Sequence, residues 1–259
     1  MNARLQVGSQ DVVVDLSRPR SLALELDFDA PQPQHFGAPA ATSRPYAVTG
    51  FSGSVTTGAS CNCERISVIP HCNGTHTEGV GHLTRERFDV YRIVPAGLVP
   101  ALLVSVAPVA ARDSHETSDP TPQADDLLVT GSALQSCWPG QPAFTPQALI
   151  IRTGAQGAFL SREAAHAIVE RGIRHLVIDL PSIDREHDAG RLTAHRILFG
   201  LSPGSHSLTE ATRTDTTVTE LARIPNDLAD GLYLLELQIP AWRGDAVPSR
   251  PLLYALQEA

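Results

Sequence analysis

The chain has 259 residues, a formal charge of −8 and a pI near 5.6, with 42% hydrophobic and 19% charged residues. That length suits one large domain or two small ones with a real core. The acidic balance, unbroken by any basic run, argues against a nucleic-acid backbone as partner. All twenty basic residues are arginine, which reads as the mark of a GC-rich genome in preference to a functional feature, since net charge speaks to solubility before chemistry. Four cysteines are too few for a disulfide scaffold. No charged segment followed by an apolar run opens the chain, so no signal peptide is expected. The longest apolar stretch, residues 97–111, is broken by Pro100 and Pro108 and is too short to span a bilayer. A soluble cytoplasmic protein is the expectation.

Residues 11–16, Asp-Val-Val-Val-Asp-Leu, are β-branched and read as a strand. Residues 29–45, rich in proline, alanine and polar side chains, read as a loop and a candidate flap over a site. Residues 61–69 alternate loosely and carry Ile66, Val68 and Ile69, so they read as a strand leading into a histidine-rich run. Cys61 and Cys63 would share a face of that strand. Two small buried residues are expected there in preference to a metal pair, because structural zinc usually takes two such pairs. Residues 98–109 read as a buried strand, and residues 112–126 as a polar, proline-containing excursion.

The second half is more regular. Residues 148–152 form a short apolar strand, and residues 173–180 another. Between them Ser161 is a candidate helix N-cap, Glu163 favours the first turn and Gly172 follows the last. Strand, capped helix and strand make a βαβ unit with parallel pairing. Residues 192–199 read as a short helix, and residues 232–239 and 252–256 as strands. With no internal repeat, the economical reading is one α/β domain over residues 1–259, with a mixed β-sheet and flanking helices.

The chemistry concentrates in one run. His71, His76, Glu78 and His82 fall within twelve residues. Imidazole and carboxylate together are the donor set of a zinc or manganese hydrolase. Even spacing projects His76, Glu78 and His82 from one face of an extended chain. His71 breaks that parity, and one bulged residue at Asn73-Gly74 would restore it. Gly79 and Gly81 let the backbone turn before His82. Such a cluster marks a metal or catalytic site. His82 has two readings, a proton shuttle beside the metal or a further ligand. His115, His166, His175, His187 and His206 stand alone and are expected to be structural or exposed; His35, in the early loop, is a candidate pocket residue. Asp179 and Asp184 follow an apolar strand, where α/β folds often place functional groups, or else cap the next turn.

The run resembles the signature His-x-Gly-Thr-His-x-Asp-x-Pro-x-His of the cyclase family of metal-dependent hydrolases, which includes bacterial kynurenine formamidases and isatin hydrolases. Gly74-Thr75-His76 matches, Glu78 stands for the aspartate, Val80 for the proline and His82 for the last histidine. Strict spacing puts the first histidine at Cys72, whereas the imidazole is at His71; His71 is taken as the ligand with one inserted residue, and Cys72 as the alternative, since thiolate also binds zinc. Asp15-Leu16-Ser17 resembles the family's opening strand and residues 149–154 its central strand. Residues 178–184 with Ala194-His195 are similar to its Ile-Asp-x-x-Ser-x-Asp and Ala-His segments. Thr219-Glu220-Leu221 takes the place of its late glutamate, and residues 231–233 begin the strand that follows.

The resemblance implies a swivelling β/β/α domain that assembles as a homodimer or higher homo-oligomer. It implies a binuclear site for two divalent ions, zinc or manganese. His71, His76 and Glu78 would hold the first ion, and Glu78 would bridge to a second held by His195 and Glu220. His82 would be the catalytic proton donor and acceptor. The implied substrate is a small amide, either an aryl formamide such as N-formylkynurenine of tryptophan catabolism or a cyclic amide. A related ester or lactone hydrolase, or a non-catalytic metal-binding homologue, are the alternatives. The family's early Trp-Pro-Gly motif has no counterpart before residue 60; Trp138-Pro139-Gly140 lies far downstream.

Overall fold

A computed structural model describes residues 1–257. The main sheet contains β1 (Asn2–Val7), β2 (Gln10–Asp15), β3 (His76–Glu78), β4 (Val99–Ser105), β5 (Ala148–Arg152), β6 (His175–Ile178), β7 (Thr217–Glu220), β8 (Gly231–Gln238), β9 (Ala246–Pro248) and β10 (Arg250–Gln257). The helices are α1 (Pro70–Asn73), α2 (Gly131–Cys137), α3 (Arg162–Glu170) and α4 (Thr193–Phe199). With Arg20–Ser21 paired beside β10, the strands form an eleven-stranded sheet in the order β1-β2-β10-β8-β4-β5-β6-β7-β3-β9. The central strands β4, β5, β6 and β7 run parallel, and the flanking pairs antiparallel. The class is therefore mixed α/β, as the sequence leads one to expect.

The parallel strands are apolar throughout because both their faces are covered. Leu149 and Ile151 of β5 pack with Ala164, Ala165 and Ile168 of α3 and Leu198 and Phe199 of α4. Ala148 and Ile150 of the same strand pack on the opposite face with Leu103, Val177, Leu235 and Leu253. α3 joins β5 to β6 as the βαβ reading requires, with the Ser161 hydroxyl accepting the Ala164 N–H at its start and Gly172 at φ +72° beyond its end. Among the described residues no helix is long and apolar enough to cross a membrane.

Several expectations change. Residues 98–109 are not one strand: β4 stops at Ser105, Pro108 has no N–H to continue a ladder, and Val109–Ala110 joins a separate three-stranded sheet with Leu127–Val129 and Ala158–Leu160. The early loop ends in a strand, Thr42–Pro45, paired with Glu64–Ser67. Cys61 and Cys63 lie ahead of that second strand and are exposed, because this hairpin stands outside the main sheet with no layer over it.

His175, at the start of β6, is buried, and its Nδ1 lies 3.0 Å from the Thr217 hydroxyl. Burial, and next the charge of Arg174, lower its pKa to about 4. The unfolded chain therefore binds the extra proton first, and stability falls as the pH drops from 7 towards 4. At pH 5 this one residue is expected to cost about 2 kcal/mol relative to pH 7. Urea melts of the wild type and His175→Gln at both pH values check this. The variant should lose about 2 kcal/mol less on acidification, and equal losses would refute the assignment.

Candidate metal centre

Local structure aims the first donors. Pro70 opens α1, a position where its missing N–H is tolerated, and that single turn presents His71. Buried Asn73 closes the turn, its Oδ1 accepting the Ile69 N–H and its Nδ2 donating to the carbonyls of Pro33 and Pro39. The proline-rich loop is thereby fastened against the cluster. The expected bulge is absent, since Gly74 is extended at φ 175°; a helical turn re-aims His71 instead. His76 and Glu78 then project from one face of β3, and Thr77 from the other, where its hydroxyl meets that of Thr219 at 2.7 Å. His82 is not on the strand. A 3-10 turn, Val80–His82, carries it back over the site. A Cβ at Gly81 would run into the Phe88 carbonyl, so this turn needs glycine.

Tertiary pairing supplies the rest. In the β7/β3 register Glu220 lies opposite His76, and Val218 opposite Glu78. Directly paired residues share a face, so all three donors point into the helical layer, where Val218 is part of the core. His195 reaches them from α4. That helix has no side-chain cap of its own, and Asp184 stands in, accepting the Ala194 N–H at 2.7 Å and the His195 N–H at 3.1 Å. Leu192 and Leu221 hold φ of +48° and +53°. They sit just before α4 and just after Glu220, so backbone strain flanks both remote donors. The Leu221 carbonyl is held by the Thr75 hydroxyl.

Three of the imidazoles are oriented in the same way. His76 Nδ1 lies 3.0 Å from the Gly74 carbonyl, which can only accept, so the ring proton is there and the Nε2 lone pair is free. Asp184 lies 2.7 Å from His195 Nδ1, and Asp245 lies 3.0 Å from His71 Nε2. The opposite nitrogens converge on two glutamates. Glu78 Oε1 is 2.6 Å from His195 Nε2, and Glu78 Oε2 is 2.8 Å from His71 Nδ1. Glu220 is 3.5 Å from both His76 Nε2 and His195 Nε2. Despite these approaches, His76 Nε2, His195 Nε2 and both Glu78 oxygens are buried and have no hydrogen-bond partner among the described residues.

Lone pairs facing carboxylate oxygens repel unless a cation lies between them, and buried charge without a counter-ion is costly. Protons can serve. Burial opposes charging of His71, but Asp245 and Glu78 outweigh it and raise its pKa to about 10. Burial likewise opposes charging of His195, and Glu78, Asp184 and Glu220 overcome it. Burial pushes Glu78 up, and the charges of His82 and His195 more than reverse that. A divalent ion can serve equally: mixed nitrogen and carboxylate donors, each histidine backed by an oxygen acceptor, are the pattern of zinc and manganese sites. The residues fit such an ion.

All six residues singled out from the sequence, His71, His76, Glu78, His82, His195 and Glu220, are brought together. Donor atoms of His71, His76 and Glu78 lie within 4.8 Å of one another, as do those of Glu78, His82 and His195. Cys72 belongs to none of these groups; it is buried, and its thiol pKa is raised by that burial. His82 is the most open member with His71, its side chain 26% exposed, and its Nδ1 lies 3.9 Å from Glu78 and 3.6 Å from Asp245. Sequence reasoning missed Asp245, which faces both His71 and His82; a lone aspartate ahead of a short strand carries no local signal. Asp184 turns out to be a cap, as one reading had it, but for a helix ten residues onward and for His195 itself. His35 lines a cavity of about 540 Å³ together with Phe36, Ser182, Asp184, His187 and Leu221, which abuts the back of the centre.

Comparison with known proteins adds the following. A family model described as "Putative cyclase" matches residues 14–185. That span includes His71 to His82 and Asp184; His195, Glu220 and Asp245 lie beyond it. No curated protein matches in sequence. Among solved structures, isatin hydrolase A from Ralstonia solanacearum is similar at 16% identity and TM-score 0.59, covering 92% of each chain. A "predicted metal-dependent hydrolase" from Bacillus stearothermophilus is similar at 15% identity and TM-score 0.56, covering 92% of this chain and 98% of its own. A "potential metal-dependent hydrolase with cyclase activity" shares 16% identity at TM-score 0.59, covering 93% and 99%. At these identities the likeness is one of fold.

Proposed function

Because this chain belongs to the cyclase family, we propose that it is a metal-dependent hydrolase that cleaves the C–N bond of a small amide. The observation that carries the reading is the buried convergence of His76 Nε2, His195 Nε2 and both Glu78 oxygens, none with a hydrogen-bond partner among the described residues. His71, His76 and Glu78 would hold one divalent ion, and Glu78, His195 and Glu220 a second, with zinc or manganese suited to this donor set. Ions bound there supply a more acidic water and a polarised carbonyl.

The protein's own groups do the rest. Asp184, Asp245 and the Gly74 carbonyl keep three imidazoles in the tautomer that offers a lone pair inward. Burial of Glu78 and Glu220 keeps bulk water from competing for their oxygens. His82 sits at the open side, its Nδ1 3.6 Å from Asp245 and 3.9 Å from Glu78. It takes the proton of the attacking water and returns it to the departing nitrogen. The substrate class is an aryl formamide, such as N-formylkynurenine, or a cyclic amide of the isatin kind. The reading extends to residues 1–259 acting as one unit, cytoplasmic, and assembled as a homodimer or higher homo-oligomer.

The test combines metal analysis with a substrate panel. Stoichiometric zinc or manganese together with turnover of an aryl formamide or isatin is expected. Turnover confined to esters or lactones would move the reading to that class. Bound metal without turnover of any amide, ester or lactone would overturn it in favour of a metal-binding homologue.

A further inference from the structure

Arg196 follows His195 on α4 but points away from the centre, and it is only 5% exposed. Three main-chain carbonyls hold its guanidinium: Nε donates to Arg191 at 2.9 Å, and Nη1 to Ser202 at 3.2 Å and Ser205 at 2.6 Å. Among the described residues no carboxylate pairs with it, and its Nη2 has no protein hydrogen bond. A buried guanidinium compensated only by carbonyl dipoles is an unusual arrangement, since buried charges are normally paired.

Arg196 lines a cavity of about 370 Å³. Arg162 and Arg191 share that lining with His166 and His206, and the one acid is Asp119, 3.8 Å from Arg191. Three arginines thus face one carboxylate on a chain whose net charge is −8, so the cavity runs against the charge of the whole molecule. Its remaining wall includes Ile197, Leu201 and Pro203.

We propose that this cavity binds a small organic anion, a carboxylate or phosphate borne on an apolar body. The oxyanion would face Nη2 of the pinned Arg196, with Arg162 and Arg191 closing on it from the rim. With Nε and Nη1 taken by the carbonyls, Arg196 offers the two N–H groups of Nη2 as a fixed point of positive charge. The apolar body lies along Ile197 and Leu201. An occupant would also touch α4, which bears His195, and His206, which bonds the residue after His82. Arg196 adjoins His195, and His206 Nδ1 bonds the carbonyl of Leu83, next to His82, at 2.8 Å. The inference is independent of the hydrolase reading.

Titration calorimetry of the full chain, with and without added zinc, tests it. The probes are benzoate, phenyl phosphate and inorganic phosphate, with benzamide as the neutral control. One site for benzoate or phenyl phosphate is expected in both metal states, and the tighter of the two assigns carboxylate or phosphate as the source. Benzamide should bind at least tenfold more weakly. Arg162→Gln combined with Arg191→Gln, both at exposed positions, should weaken the anion at least tenfold and leave metal uptake unchanged. Several results would overturn the proposal: no anion binding, binding confined to the zinc-loaded protein, binding unmoved by the double substitution, or inorganic phosphate as tight as phenyl phosphate.

Discussion

Replacing His76 by alanine is expected to remove bound metal and hydrolysis together. His76 is fully buried, its Nδ1 is committed to the Gly74 carbonyl, and its Nε2 faces Glu78 and Glu220 at 3.9 and 3.5 Å. No neighbouring side chain can take over that lone pair, because His71 and His195 are each held by their own aspartate. The variant also leaves two buried carboxylates facing one another with one imidazole fewer between them. If the activated water and polarised carbonyl together stabilise the transition state by several kcal/mol, their loss lowers kcat/KM by about a thousandfold or more. Metal analysis, kcat/KM and a thermal melt on the same preparation check this. A folded variant that kept both metal and activity would show that His76 is not a ligand.

Replacing His82 by alanine should have a different signature. His82 stands on the 3-10 turn at the open side, and its ring centroid lies 4.4 Å from that of His71 and 5.5 Å from that of His195. It is near enough to exchange a proton at the centre and free enough to move one outward. Loss of a positioned acid–base group costs about a hundredfold to ten-thousandfold in rate. The variant is therefore expected to keep its metal while turnover falls within that range. Because His82 also completes a donor group with Glu78 and His195, loss of metal would make it a ligand and leave the proton-transfer role without a residue.

Much of the candidate site was legible because its first half is local. Parity placed His76 and Glu78 on one face, and that depends only on the pleat of a short strand. The same parity failed at His82 and His71, where a 3-10 turn and a helical turn intervene. Each involves only a few residues and is set by packing, of Gly81 under the Phe88 carbonyl and of Asn73 against the proline-rich loop. His195 and Glu220 had no distinguishing local context, and only the resemblance singled them out. Asp245 had neither.

The sequence by itself determined the strands β5 and β6, the Ser161-capped helix between them and the histidine run, since apolar periodicity, capping and short spacing act within a few residues. The tertiary structure alone decided that Glu220 faces His76, that Asp184 caps α4 and orients His195, and that Asp245 comes back to His71 from 174 residues away. Those contacts follow from the order of strands in one sheet. That order is chosen by burying both of its faces at once, so it belongs to the whole chain and to no segment of it.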